Sequence, residues 1–320
     1  MSKKECIGDI NGDVDTLLTV AVMALDIVSG DVDENLRRME VMADMLPQGV
    51  DVAVLPELFT TSFMKDTDRM MLAADENDGI VMRRVSRLAA RKSMMVAGSF
   101  LARETVSVGN PRFFNRGFMA MPDGKNVFYD KHHLFCLSQE AKLLVHGQKR
   151  PPLVKFRGWN ISMLICYELR FPVWGRNVDM QADIVLVPAN WPCNRGYAWR
   201  HLVIARAIEN QVVVAGADRS GRDDYGEYDG LALIVDELGR QIVPQPEAAP
   251  SGCPTPDNYG EVISTPYGPL LIATFSLEKV KKLRSWLPTH RDADSFSFSK
   301  KIRLRNPVQS LITNAFQILS

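Results

Sequence analysis

Apolar, β-branched runs alternate with stretches of helical periodicity along most of the chain. Residues 17–28 form the first such run and read as a core strand. Behind Asp33, which suits a helix N-cap, Leu36, Met39, Ala43 and Leu46 recur at helical spacing until Pro47. Residues 52–55 form a short buried strand that stops at Pro56-Glu57. The spacing predicts a helix over 75–92, with Val81, Val85 and Leu88 on one face, and a strand over 94–100. Residues 113–121 and 127–130 predict a hairpin turning at Pro122-Asp123-Gly124. Residues 161–165 are β-prone and run straight into Cys166, with Pro172 placed where a helix can begin. Further strands are predicted over 183–187, 211–217, 231–235 and 270–275, and helices over 197–210 and 277–286.

This alternation, with several strands in hairpins, implies a mixed α/β fold of sheets covered by helices. Val52-Ala53-Val54-Leu55-Pro56-Glu57 and Ile184-Val185-Leu186-Val187-Pro188-Ala189 echo each other as buried strands halted by proline. Two similar halves of that kind would give two stacked sheets. No Gly/Ser linker divides the central region, so residues 16–294 read as one domain. Residues 1–15 read as an N-terminal extension and 295–320 as a C-terminal one, the latter with Lys300, Lys301, Arg303, Arg305 and an amphipathic run over 308–319. Residues 243–260 hold five prolines and read as a long surface loop.

The bulk numbers narrow the function. Of 320 residues, 46% are hydrophobic and 24% charged, as in ordinary soluble domains. Lys+Arg and Asp+Glu number 38 each, so no basic field for nucleic acid is expected. No apolar run approaches the roughly 20 residues of a membrane span, and residues 1–15 lack the apolar segment of a secretory signal. The five cysteines, Cys6, Cys136, Cys166, Cys193 and Cys253, have neither disulfide-framework nor zinc-site spacing. Free thiols of this kind suit a cytoplasmic setting.

Three positions stand immediately after predicted strands: Glu57, Lys131 and Cys166. Strand ends of α/β folds collect active-site groups. A strand that breaks at a cysteine has the layout of a nucleophile elbow, with backbone N–H groups aimed where an oxyanion forms. A lysine nearby stabilises thiolate and oxyanion, and a glutamate between apolar walls serves as base and then acid. Each residue alone also has a plain reading: a buried structural thiol, a capping carboxylate, a solvated lysine.

Together, three stretches resemble the signature motifs of the nitrilase (carbon–nitrogen hydrolase) superfamily. They are Leu55-Pro56-Glu57-Leu58-Phe59, Tyr129-Asp130-Lys131-His132-His133-Leu134-Phe135 and Leu164-Ile165-Cys166-Tyr167-Glu168-Leu169-Arg170-Phe171-Pro172. The resemblance covers roughly residues 17–290 and implies a four-layer α-β-β-α sandwich, a Glu-Lys-Cys triad and a homodimer. Asn190-Trp191-Pro192 and the run 205–211 are similar to the bacterial omega-amidase branch, although Glu168 stands where that branch often has Asp. What the branch implies is hydrolysis of 2-oxoglutaramate or 2-oxosuccinamate to the dicarboxylate and ammonia, with no cofactor and no metal. The implied roles put Cys166 as nucleophile, Glu57 as general base and acid, and Lys131 with the N–H of Tyr167 around the oxyanion. Glu140, nine positions after Lys131, is the candidate for the family's second acid. The far carboxylate of such a substrate calls for an arginine, and Arg170 and Arg195 lie near the elbow and near Asn190-Trp191. Asn190 and Trp191 are candidate pocket residues, Trp191 with an equal claim to a core role.

Rival readings keep the same residues in view. A Cys–His enzyme would use His201 or His132 as base, and His132-His133 is the sole hint of a metal site. Deaminated glutathione and N-carbamoyl compounds are alternative substrates within the superfamily. A metabolite-binding module of the same fold is the non-enzyme alternative.

Overall fold

The computed structural model describes residues 15–107, 110–242 and 260–297. Most of the two terminal extensions and of the proline-rich loop lie outside the described residues, as do Cys6 and Cys253. The chain divides into two units, Met1–Pro288 and Thr289–Ser320. In the second, a short 3-10 turn spans Thr289–Asp292.

In the first unit, β1 (Leu17–Met23), α1 (Val32–Asp44) and β2 (Val52–Val54) come first. The short α2 (Thr67–Leu72), α3 (Ile80–Lys92) and the long hairpin β3 (Met95–Ser107), β4 (Asn110–Ala120) follow. Next are β5 (Asn126–Asp130), α4 (Glu140–Leu143), β6 (Leu153–Phe156) and β7 (Trp159–Met163). The chain continues with β8 (Ile184–Ala189), α5 (Gly196–Asn210), β9 (Val213–Asp218), β10 (Ser220–Asp223) and β11 (Gly226–Asp229). It closes with β12 (Leu233–Val235), β13 (Glu261–Thr265), β14 (Gly268–Ser276) and α6 (Leu277–Trp286).

Two sheets stack face to face. One has the order β13-β14-β1-β2-β3-β4-β5, the other β12-β9-β8-β7-β6. β1, β2 and β3 run parallel, and so do β7, β8 and β9. The echoed segments are the middle strands β2 and β8 of these two triplets. Leu18, Val20, Val52, Val54 and Met95 of the first sheet share a core with Ile161, Met163, Ile184 and Leu186 of the second. The opposite face of the first sheet, through Ala21, Ala53, Val96 and Phe118, packs on Leu36 and Met39 of α1 and Val81 and Val85 of α3. α5 covers the second sheet with Trp199, Val203 and Ala207. These layers are the expected α-β-β-α sandwich.

Three local readings need correction. The cap of α1 is Asp31, whose side chain accepts the N–H of Glu34. The helix expected over 75–92 starts only at Ile80, because Asp75 pairs with Ala102 and accepts the N–H of Val81. Finally, β7 ends at Met163 and a 3-10 turn begins at Cys166 itself, ahead of Pro172.

Strand lengths create the site. β7 pairs with β8 only as far as Met163 and Leu186, and the N–H of Leu164 makes the last bond to Leu186. Beyond it, Pro188 lacks an N–H on the side where β7 has already ended, so the ladder loses nothing. The N–H of Glu57 bonds to the carbonyl of Ala189 (3.1 Å), tying the end of β2 to the end of β8 across the sheets.

Candidate active site

Glu57, Lys131 and Cys166 meet at these strand ends. All three are buried, and Glu57 and Lys131 are 0% and 1% exposed. Cys166 has φ +45°, in the left-handed region, where a residue with a side chain costs about 1–3 kcal/mol. That turn carries the thiol off the line of β7. The first bond of the 3-10 turn runs from the N–H of Glu168 to Ile165 (3.0 Å). The N–H of Tyr167 lies one residue ahead of it, beside the nucleophile.

Lys131 Nζ donates to Glu57 Oε1 (2.6 Å) and to both oxygens of Glu140 (2.9 Å each). Asn115, on β4, donates from Nδ2 to Glu57 Oε1 and to Glu140 Oε1, both at 2.8 Å. The N–H of Phe135 holds Glu140 Oε2 (2.7 Å). Two buried carboxylates thus share one ammonium and one amide, and Glu57 Oε2 has no hydrogen-bond partner among the described residues. Burial raises the pKa of Glu57; Lys131 opposes this and the charge of Glu140 adds to it. Burial alone would lower Lys131, but Glu140 and Glu57 outweigh it and hold the ammonium protonated. Burial and the charge of Glu57 push the Cys166 thiol well up, so the resting group is a thiol. A thiol beside a carboxylate of raised proton affinity is arranged to pass its proton across during attack rather than before it.

Glu168 ties the two loops together. Its Oε2 accepts the N–H of Ile165 (2.9 Å), while Oε1 accepts the N–H of His132 (2.9 Å) and the hydroxyl of Tyr129 (2.7 Å). The residue before the nucleophile and the residue after the lysine therefore hang on one carboxylate. Arg206 of α5 fastens the far end of the same turn by donating to the carbonyl of Leu169 (2.6 Å).

A pocket of about 330 Å³ of empty space opens over the thiol, small by the standard of ligand sites. Glu57, Lys131, Cys166, Tyr167, Arg170, Asn190, Trp191 and Arg195 all line it, together with Phe63, Phe135 and Pro192. Arg170 stacks over Trp191 (4.8 Å to the ring centre) and Arg195 over Phe135 (5.1 Å). Neither guanidinium makes an ion pair among the described residues. Trp191 is in the core and also lines the pocket, its main-chain N–H donating to Asp218 Oδ1 (2.7 Å). Glu140 does not line the pocket; it accepts from Lys131, which does.

The histidines are elsewhere. His201 is exposed on α5 and bonds to the carbonyl of Tyr197. His132 stacks on Trp174 (4.0 Å) and bonds to the carbonyl of Gly147. His133 stacks on Phe171 (3.8 Å), and burial lowers its pKa to about 4. Sequence reasoning missed Asn115, Phe63 and Phe135. Asn115 left one signal, a polar residue among the phenylalanines of a predicted strand.

The fold is an α-β-β-α sandwich, and an acid, a lysine and an elbow cysteine gather at its strand ends. The chain belongs to the carbon–nitrogen hydrolase family, whose model matches residues 19–284. It is 34% identical over 281 residues to an omega-amidase of Yersinia enterocolitica, covering 87% of this chain and 98% of that protein. It is 33% identical over 227 residues to a 2-oxoglutaramate amidase of Bacillus subtilis, covering 70% and 85%. Among solved structures it is similar to a carbon–nitrogen hydrolase superfamily protein of Xanthomonas campestris with an arsenic adduct in its active site. That match has a TM-score of 0.74 and 29% identity, and covers 89% of this chain and all of the other.

Proposed function

We propose that the enzyme hydrolyses the ω-amide of a small 2-oxo dicarboxylate monoamide, 2-oxoglutaramate or 2-oxosuccinamate, through a thioester at Cys166. The observation that carries this reading is the pocket itself. A thiol flanked by a buried acid and lysine lines it, with two guanidiniums that make no ion pair among the described residues. Such a rim suits a short chain with an amide at one end and a carboxylate at the other. One relative is named an omega-amidase and another a 2-oxoglutaramate amidase, which supports the same class of substrate.

In this mechanism Glu57 takes the thiol proton as Cys166 Sγ attacks the amide carbon. Lys131 Nζ and the N–H of Tyr167 hold the oxyanion. Collapse breaks the C–N bond, Glu57 gives its proton to the nitrogen, and ammonia leaves. Glu57 then takes a proton from water, which attacks the thioester, and the proton returns to sulfur as the acid departs. Glu140 and Asn115 keep Lys131 and Glu57 in place throughout. We further propose that the enzyme works in the cytoplasm as a homodimer.

The test is ammonia release from 2-oxoglutaramate, 2-oxosuccinamate, glutamine, an N-carbamoyl amino acid and a simple nitrile, with Cys166→Ala as control. Release from the 2-oxo amides, lost in the variant, is the expected result. Turnover of the N-carbamoyl compound instead would move the substrate class, and full activity in Cys166→Ala would end the mechanism.

A further inference from the structure

Asn190 follows the last residue of β8, is 6% exposed and lines the pocket. Cys166 lines the same pocket, so the residue stands beside the reacting centre. Its side-chain orientation can be deduced from the hydroxyl beside it. Asn190 Nδ2 donates to Ser62 Oγ at 3.1 Å. Ser62 Oγ donates to Asp223 Oδ2 (2.7 Å) and accepts from a guanidinium nitrogen of Arg219 (2.6 Å). A hydroxyl has one proton, and this one is committed to a carboxylate. Arg219 can only donate. Ser62 therefore has lone-pair density left for Asn190 and no proton, so it accepts an N–H and rejects a carbonyl. The amide is locked with its NH₂ toward Ser62 and its oxygen away. Arg219 itself is buried and bonded to the carbonyls of Ile27 (2.7 Å) and Ser220 (3.0 Å), so the lock has a fixed base.

Asn190 Oδ1 is left buried, with no hydrogen-bond partner among the described residues. An unpaired buried carbonyl is costly, and one retained at a binding site is an acceptor for a donor that arrives with the ligand. We propose that Asn190 Oδ1 accepts an N–H of the substrate's scissile amide, and that Ser62, Arg219 and Asp223 are the positioning residues that aim it.

The contact rests on the reading that this pocket hydrolyses amides, and it adds a reason for the preference. A primary amide offers two N–H donors there. An ester or a nitrile offers none, and the carboxylate product presents only oxygen lone pairs to another oxygen. The acceptor thus favours the substrate over its own product.

The experiment compares 2-oxoglutaramate with the ω-methyl ester of 2-oxoglutarate as substrates. In Asn190→Ala the ratio of amide to ester kcat/KM is expected to fall at least tenfold. In Ser62→Ala, where the amide can turn over, the ratio falls in the same direction by less. An equal loss on both substrates, or an unchanged ratio, overturns the proposal, since a merely structural defect does not distinguish nitrogen from oxygen. Should the wild-type protein leave the 2-oxo amide intact, the substrate reading fails by itself. The contact is then read from alkylation of Cys166 by acrylamide against methyl acrylate. A preference for acrylamide that Asn190→Ala removes supports the contact, and an equal preference in both proteins overturns it.

Discussion

In the proposed mechanism Glu57 must be basic enough to take a thiol proton and acidic enough to give it up, and its neighbours set that balance. Burial and Glu140 raise its pKa while Lys131 lowers it. The base works only when ionised, so activity falls on the acid side as Glu57 protonates, at a pH above that of an ordinary glutamate. In Glu140→Gln the like charge is gone and Lys131 turns wholly to Glu57. Both changes lower the pKa of Glu57, so the acid limb of kcat/KM moves to lower pH even as kcat drops. A limb that moves up, or stays, would separate Glu140 from this balance. Lys131→Ala removes the cation that two buried carboxylates share. It is expected to lower kcat by at least ~10²–10³ and stability by about 3–5 kcal/mol, because a charge left unpaired in the interior is strongly unfavourable. Rate assays and urea midpoints read the two effects separately. His133, held neutral down to pH about 4, brings no titration to the activity profile near neutrality.

The elements fix how far these side chains sit from one another. Gly147 packs behind the end of β5: its N–H bonds to the carbonyl of Lys131 (2.9 Å), and a Cβ there would lie 1.8 Å from the carbonyl oxygen of Asp130. In Gly147→Ala the strand end carrying Lys131 must shift, so a fall in Tm with a larger proportional loss of kcat is expected. Glu168→Gln tests the other tie. An amide replaces one accepting oxygen by a donor, so one of the N–H groups of Ile165 and His132 meets another N–H, costing about 1–3 kcal/mol and loosening both loops. Unchanged stability and rate would show that these loops hold their places without it. Most of this framework was legible in the sequence, because β2, β8 and α3 are buried runs with the periods of their elements. The hairpin β10–β11 was not. Arg219, Ser220, Gly221, Arg222, Asp223 and Asp224 have no apolar alternation, and the hairpin is held by side-chain bonds, Arg219 and Tyr228 to Asp223 among them. The same blindness hid Asn115 and the Ser62 cluster, since polar pairing between distant segments leaves no local period. Glu57, Lys131 and Cys166 were legible for the opposite reason: each comes within three residues of the end of a strand.

At the scale of the molecule, the outer side of α5 carries large side chains that reach solvent. Tyr197, His201, Ile204 and Ile208 follow one another at spacings of four, three and four, which places them on one face. Tyr197 is 80% exposed and Ile208 54%, while Trp199, Val203 and Ala207 on the other face are fully buried. On α6, Trp286 is 76% exposed. A helix needs only one apolar face to pack on its sheet, and a second one on the outside is what a partner subunit would cover. The chain mass is 35.9 kDa, so a homodimer should sediment at about 72 kDa, twice that value. Ile208→Glu sets a charge into the stripe without touching the strand ends of the site. It should shift the protein toward the monomer while the folded-state circular dichroism stays unchanged. Sedimentation velocity over a hundredfold range of concentration decides it. A wild-type chain that remains monomeric throughout would mean that this stripe meets no second copy.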